Sequence, residues 1–93
     1  MVSAYDALGD NYQRQKLYLK AADAYAMALK FNPEATLPHL QFKLAEAYKM
    51  GGNLQEAHVA YEAVAASEDS FWGRLAQEEI RRLAIKTRLA KNP

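Results

Sequence analysis

Two stretches of this chain, Tyr5-x2-Leu8-Gly9-x2-Tyr12 and Leu44-Ala45-x2-Tyr48, carry one packing pattern at an offset of 36 residues. From Gly9 the chain reaches Ala21, Tyr25, Ala28 and Pro33; at the same distances from Ala45 it reaches Ala57, Tyr61 and Val64. A unit of this size cannot bury its apolar face alone, so self-similarity at this period predicts a helical solenoid in which neighbouring units stack. Arrays of that kind rarely do chemistry. They present a concave surface to a partner.

Helical spacing of the apolar residues predicts five helices and no strand. The first runs from Ser3, an N-cap with Asp6 three residues on, to about Gln15. The second runs from Leu19 to Phe31, where Asn32-Pro33 stops it. The third spans Leu37 to Met50, with Thr36 as cap, Pro38 in the first turn and Gly51-Gly52 as terminator. Asn53 caps the fourth, with Glu56 placed to close a capping box, and the last extends from Phe71 to about Lys91. Gly9 inside the first helix costs about 1 kcal/mol relative to Ala. The expected return is close approach of the second helix, with Ala45 and Ala76 in the equivalent places.

These residues resemble the tetratricopeptide repeat family, whose helix–turn–helix unit carries W-x2-L-G-x2-Y, then A-x3-F, then P. Residues 2–35 match nearly throughout, with Tyr5 in the Trp place and Tyr25 in the Phe place. Residues 38–71 match more loosely: Gln41 replaces the aromatic, Ala45 the Gly, and Asp69 the Pro. Trp72-x2-Leu75-Ala76-x2-Glu79 has the front of a third motif and no second helix after it. The resemblance implies a single all-α domain, a right-handed superhelix of two repeats closed by a longer capping helix over 71–91. It also implies a role in protein–protein interaction, with the first helix of each repeat lining the groove.

By that analogy the groove positions are Ser3, Asp6, Asp10, Gln13 and Arg14, then His39, Phe42, Glu46, Lys49 and Met50, and finally Gly73, Gln77, Ile80 and Arg81. Phe42 lies outside the packing pattern, so it is either an anchor for a partner or a contact between neighbouring first helices. Some family members hold acidic peptide tails with a Lys, Asn and Arg clamp. Here Asp6 and Asp10 stand at the corresponding places and Lys43 stands for the Asn, so a neutral or basic segment is the expected occupant. In the last helix Trp72, Leu75, Ala76, Ile80, Leu83 and Ala84 form the stripe expected to cover the second repeat. Ile85 and Leu89 fall on another face and offer a surface for a second copy, which makes a self-associating scaffold the alternative function.

Composition excludes several other classes. With no cysteine the chain has no disulfide, thiolate metal site or thiol nucleophile. His39 and His58 have no partner at metal-ligand spacing, and no serine sits in a nucleophile elbow, so neither an enzyme nor a cofactor or metal is expected. Residues 1–70 carry a net charge of −3 and residues 71–93 a net +4. The basic residues of that second stretch are spread around the last helix, so a solvated cap is expected there rather than nucleic-acid binding. No apolar run approaches the roughly 18 residues that a membrane span needs. No span or leader in the sequence names a compartment, which stays open with the cytoplasm favoured. The motif begins at Val2 with no lead-in, as expected of a segment of a longer protein.

Overall fold

A computed structural model describes residues 2–31 and 37–91, with side chains described for 3–31 and 37–85. Five helices follow one another: α1 (Val2–Arg14), α2 (Tyr18–Lys30), α3 (Pro38–Met50), α4 (Leu54–Ala65) and α5 (Ser70–Lys91). The described residues contain no strand. Helix α1 begins one residue before Ser3, which is therefore inside the helix and not its cap. The connection that the sequence assigns to Asn32, Pro33 and Thr36 lies outside the described residues.

Each helix packs on its neighbours in the sequence, and α3 also touches α5. Helices α1, α3 and α5 form one layer and α2 and α4 the other, giving a slab of 44 × 31 × 17 Å. Two apolar clusters hold it together. One gathers Ala21, Ala22, Tyr25, Ala28, Leu40 and Ala47 with flanking Tyr5, Tyr12 and Leu44. The other gathers Ala45, Ala57, Tyr61, Val64, Ala76 and Leu83 with flanking Phe42, Trp72 and Ile80, and Tyr48 borders both. Alanines dominate because helices that pack this closely leave room for little more than a methyl group at the contact.

The α1–α2 and α3–α4 turns have the same backbone, 36 residues apart. In the first, Leu17 N–H donates to Tyr12 O at 2.9 Å and Lys16 N–H to Gln13 O at 3.0 Å. In the second, Asn53 N–H donates to Tyr48 O at 2.9 Å and Gly52 N–H to Lys49 O at 3.1 Å. This double bond closes a helix through one residue in the left-handed region. That residue is Gly52, φ 87°, in the second turn, and Lys16, φ 63°, in the first. Asn53 then caps α4 by accepting Glu56 N–H at 3.3 Å. Asp69 does the same for α5, accepting Trp72 N–H at 2.9 Å.

The covering stripe of α5 differs from the expected one. Trp72, Ala76, Glu79, Ile80 and Leu83 face the body of the molecule, whereas Leu75 and Ala84 are exposed. The covered stripe is narrower than expected at both edges, and an acid, Glu79, sits inside it at 8% exposure. Lys49 and Arg82 hold it there.

Because Lys16 occupies a backbone conformation that disfavours a Cβ by about 1 kcal/mol, Lys16→Gly should stabilise the fold by about 0.5 kcal/mol after the entropy of the more flexible unfolded chain is set against it. A higher urea midpoint at constant slope is the expected result, and Gly52→Lys should lower it.

Candidate partner-binding groove

The layer of α1, α3 and α5 is crossed by a ladder of alternating charge. Lys43 on α3 reaches back to α1, donating to Asp6 Oδ1 at 3.0 Å and to Asp10 Oδ1 and Oδ2 at 3.1 and 3.3 Å. Lys49, two turns further along α3, donates forward to Glu79 Oε2 on α5 at 2.9 Å and lies 3.4 Å from Glu46 Oε2. Arg82 completes the series with a 2.8 Å bond to Glu79 Oε1.

The core feeds this ladder from below. Tyr25, on α2, donates its hydroxyl proton to Asp10 Oδ1 at 2.6 Å, and Tyr61, on α4, donates to Glu46 Oε1 at 2.6 Å. The Tyr25 ring lies directly on Gly9, where an added Cβ would come 2.6 Å from Cδ1 and 2.9 Å from Cζ. With no methyl group between them, the short side chain of Asp10 suffices to meet the hydroxyl. In the second hairpin Ala45 shares a cluster with Tyr61, and the acid that follows it is one methylene longer. The pairs Gly–Asp and Ala–Glu thus support the same 2.6 Å bond in both hairpins.

Three charges of the ladder are shifted by their neighbours. Burial pushes the Asp10 carboxyl up, but the bond from Tyr25 and the Lys43 ammonium outweigh it and hold the group below the usual carboxylate range. Burial works against the ammonium of Lys43, yet Asp6 and Asp10 leave it above its ordinary value, and Glu79 and Glu46 do the same for Lys49. Burial and the adjoining acids push both Tyr25 and Tyr61 far up, so they serve as donors throughout the ordinary pH range.

A concavity of about 260 Å³ opens between α1 and α3, lined by Asp10, Gln13, Tyr25, Phe42, Lys43 and Glu46. Four of these, Asp10, Gln13, Phe42 and Glu46, are groove positions by the sequence analogy. Gln13 Oε1 is enclosed there with no hydrogen-bond partner. Phe42 belongs both to the wall and to an aromatic cluster between α3 and α5, with ring centroids 5.5 Å from Tyr61 and 5.2 Å from Trp72. His39 lies 5.1 Å from Trp72 in the same cluster.

The remaining predicted positions are not gathered at this recess. Asp6 and Lys49 belong to the ladder at its edges, and Arg14 is exposed. Gln77 lines a separate hollow beside the α4–α5 turn, and Arg81 pairs with Glu78 on its own helix. Ile85 is exposed on α5, and the side chain of Leu89 lies outside the described residues. The sequence analogy missed Tyr25 and Lys43 as wall residues. A tyrosine 15 residues after an acid, in both repeats, was the available signal. Among the described residues no three acids or histidines gather as a metal site, and no described helix is long and apolar enough to cross a membrane. Set against family models, curated proteins and solved structures, the chain matches none.

Two predictions follow from this geometry. Gly9→Ala should cost about 1–2 kcal/mol, overpacking against Tyr25 exceeding the gain in helix propensity. Adding Asp10→Glu should recover part of that loss, read as a coupling energy in a double-mutant cycle of urea unfolding. The second concerns pH. Asp10 is held low, so its share of stability is present above the unfolded value of about 3.9 and is lost as pH falls through the folded one. Lys43 and Lys49 are held high, so theirs is present below about 10.4 and is lost as pH rises through their folded values. Lys43→Met should therefore reduce the alkaline loss of stability, and an unchanged alkaline limb would remove Lys43 from the account.

Proposed function

We propose that this chain is a tetratricopeptide-like interaction module that takes an extended segment of another protein into the groove of α1, α3 and α5. Support for the family comes from the repeated motif, and from the matching turns and tyrosine–carboxylate bonds 36 residues apart. The observation that carries the function is the recess between α1 and α3, where an aromatic face and polar groups converge on a space large enough for a side chain.

The chemistry of the recess selects its occupant. Its lining holds two carboxylates, Asp10 and Glu46, and one ammonium, Lys43. That ammonium is already engaged by two acids, as is Lys49 beside it. An anionic tail would meet carboxylates before it met an available cation. A neutral or basic segment with one apolar anchor against Phe42 fits better, its flanking charge setting orientation and on-rate. Nucleic acid is not favoured, because Arg81 and Arg82 are both paired with glutamates of their own helix.

Selection from a displayed random-peptide library on the immobilised protein tests this reading. Enriched peptides should combine an apolar anchor with neutral or basic neighbours. Their binding should fall at least about tenfold in Gln13→Arg, which puts a cation into the recess, and weaken with salt if basic. Selected peptides indifferent to Gln13→Arg would place binding elsewhere and sink the groove reading.

A further inference from the structure

The outer side of α5 carries large apolar side chains open to solvent, Phe71 at 63%, Leu75 at 37% and Ile85 at 58% exposure. They follow one another with Glu78 and Arg82 at steps of four, three, four and three residues. At about 100° per residue the five fall within a sector about 80° wide. That sector is clear of Trp72, Ala76 and Leu83, which face the body, and of the groove-side positions Gln77 and Arg81. In the sequence Leu89 takes the next step of four, its side chain lying outside the described residues.

Read along the helix, this stripe is apolar, apolar, acid, base, apolar. Its members are mirrored about position 80, with Leu75 answering Ile85 and Glu78 answering Arg82; position 89, which answers Phe71, is again apolar in the sequence. A second α5 laid antiparallel across a twofold axis at that point would set leucine on isoleucine and each glutamate on an arginine. A parallel pairing would set Glu78 on Glu78 and Arg82 on Arg82. We propose that α5 is an isologous dimerisation surface whose partner is α5 of a second copy of this chain, antiparallel, with Glu78 of each copy facing Arg82 of the other.

The two charges are available for this. Their side chains are 50% and 70% exposed, and their bonds to Arg81 and Glu79 are i,i+3 pairs on one helix. The Glu78–Arg81 pair is exposed at both ends and contributes little, so exchanging it for a contact across an interface costs little, while Arg82 can keep Nη1 on Glu79 and offer its other guanidinium donors to the partner. The apolar side chains at either end supply burial, while the central charges fix direction and register. A single helix pair is a modest interface, so the dimer should dissociate on dilution.

Sedimentation equilibrium of the full chain over a wide concentration range tests the proposal, with far-UV circular dichroism as the check on folding. The wild type should show a monomer–dimer equilibrium. Glu78→Arg and Arg82→Glu should each raise the dissociation constant at least about tenfold, because like charges then face one another twice per dimer. An equimolar mixture of the two variants should dimerise again with an affinity near that of the wild type, since each supplies the charge that the other lacks. Ile85→Arg, at an exposed position, should weaken the dimer while leaving both central charges in place, and serves if a charge variant fails to fold. A wild type that stays monomeric at millimolar concentration would overturn the proposal. So would a dimer indifferent to Glu78→Arg and Ile85→Arg, or a mixture of the two charge variants that remains monomeric.

Discussion

A tyrosine hydroxyl that must find an acceptor inside the protein sets the terms for the rest of this structure. Tyr25 and Tyr61 are almost wholly enclosed, and a buried hydroxyl left without a partner would cost about 1–3 kcal/mol. Each finds a carboxylate on the facing helix, Asp10 or Glu46. Those acids, drawn partly out of water, in turn favour a cation, and α3 supplies Lys43 on one side and Lys49 on the other. The lysines reach the neighbouring helices of their own layer, α1 and α5. Packing within a hairpin thereby determines the charge pattern across α1, α3 and α5 and the contacts between hairpins.

What the sequence reveals and what it hides divide along physical lines. The five helices, the Asn53 cap and the close approach at Gly9 rest on local periodicity or on one residue with one conformational role, and all are visible in the chain itself. The ladder is less visible. Tyr25 satisfies the packing motif as an aromatic ring, so nothing in the motif draws notice to its hydroxyl. Lys43 acts across 33 and 37 residues, a separation at which no helical periodicity operates. Leu75 reads as part of the covered stripe because it stands at the motif's leucine place, yet that place lies at the edge of the contact, with Leu75 37% exposed and its counterpart Leu8 on α1 38%. Lys16 hides its left-handed backbone because only comparison with Gly52, in the twin turn, exposes it.

The acid inside the α5 contact has its own explanation. Glu79 stands where α1 and α3 carry Tyr12 and Tyr48, and a carboxylate cannot pack as a ring does. It enters the contact only because Lys49 and Arg82 meet its two oxygens. A buried charge with fixed partners adds little net stability, but it penalises every orientation in which those partners are lost. The last helix is thus held in the setting that keeps Trp72, Ala76 and Leu83 on the body of the molecule.

The division of the apolar interior into two clusters, one joining α2 to α3 with α1 beside it and the other joining α3, α4 and α5, also bears on how the chain reaches this structure. Most contacts join helices adjacent in the sequence, so little loop entropy stands in the way of the first hairpin and folding should be fast. Tyr48 is the side chain common to both clusters. Partial opening from one end is then cheaper than opening the middle. Amide hydrogens in α3, which has neighbours on both sides, should be the slowest to exchange with solvent.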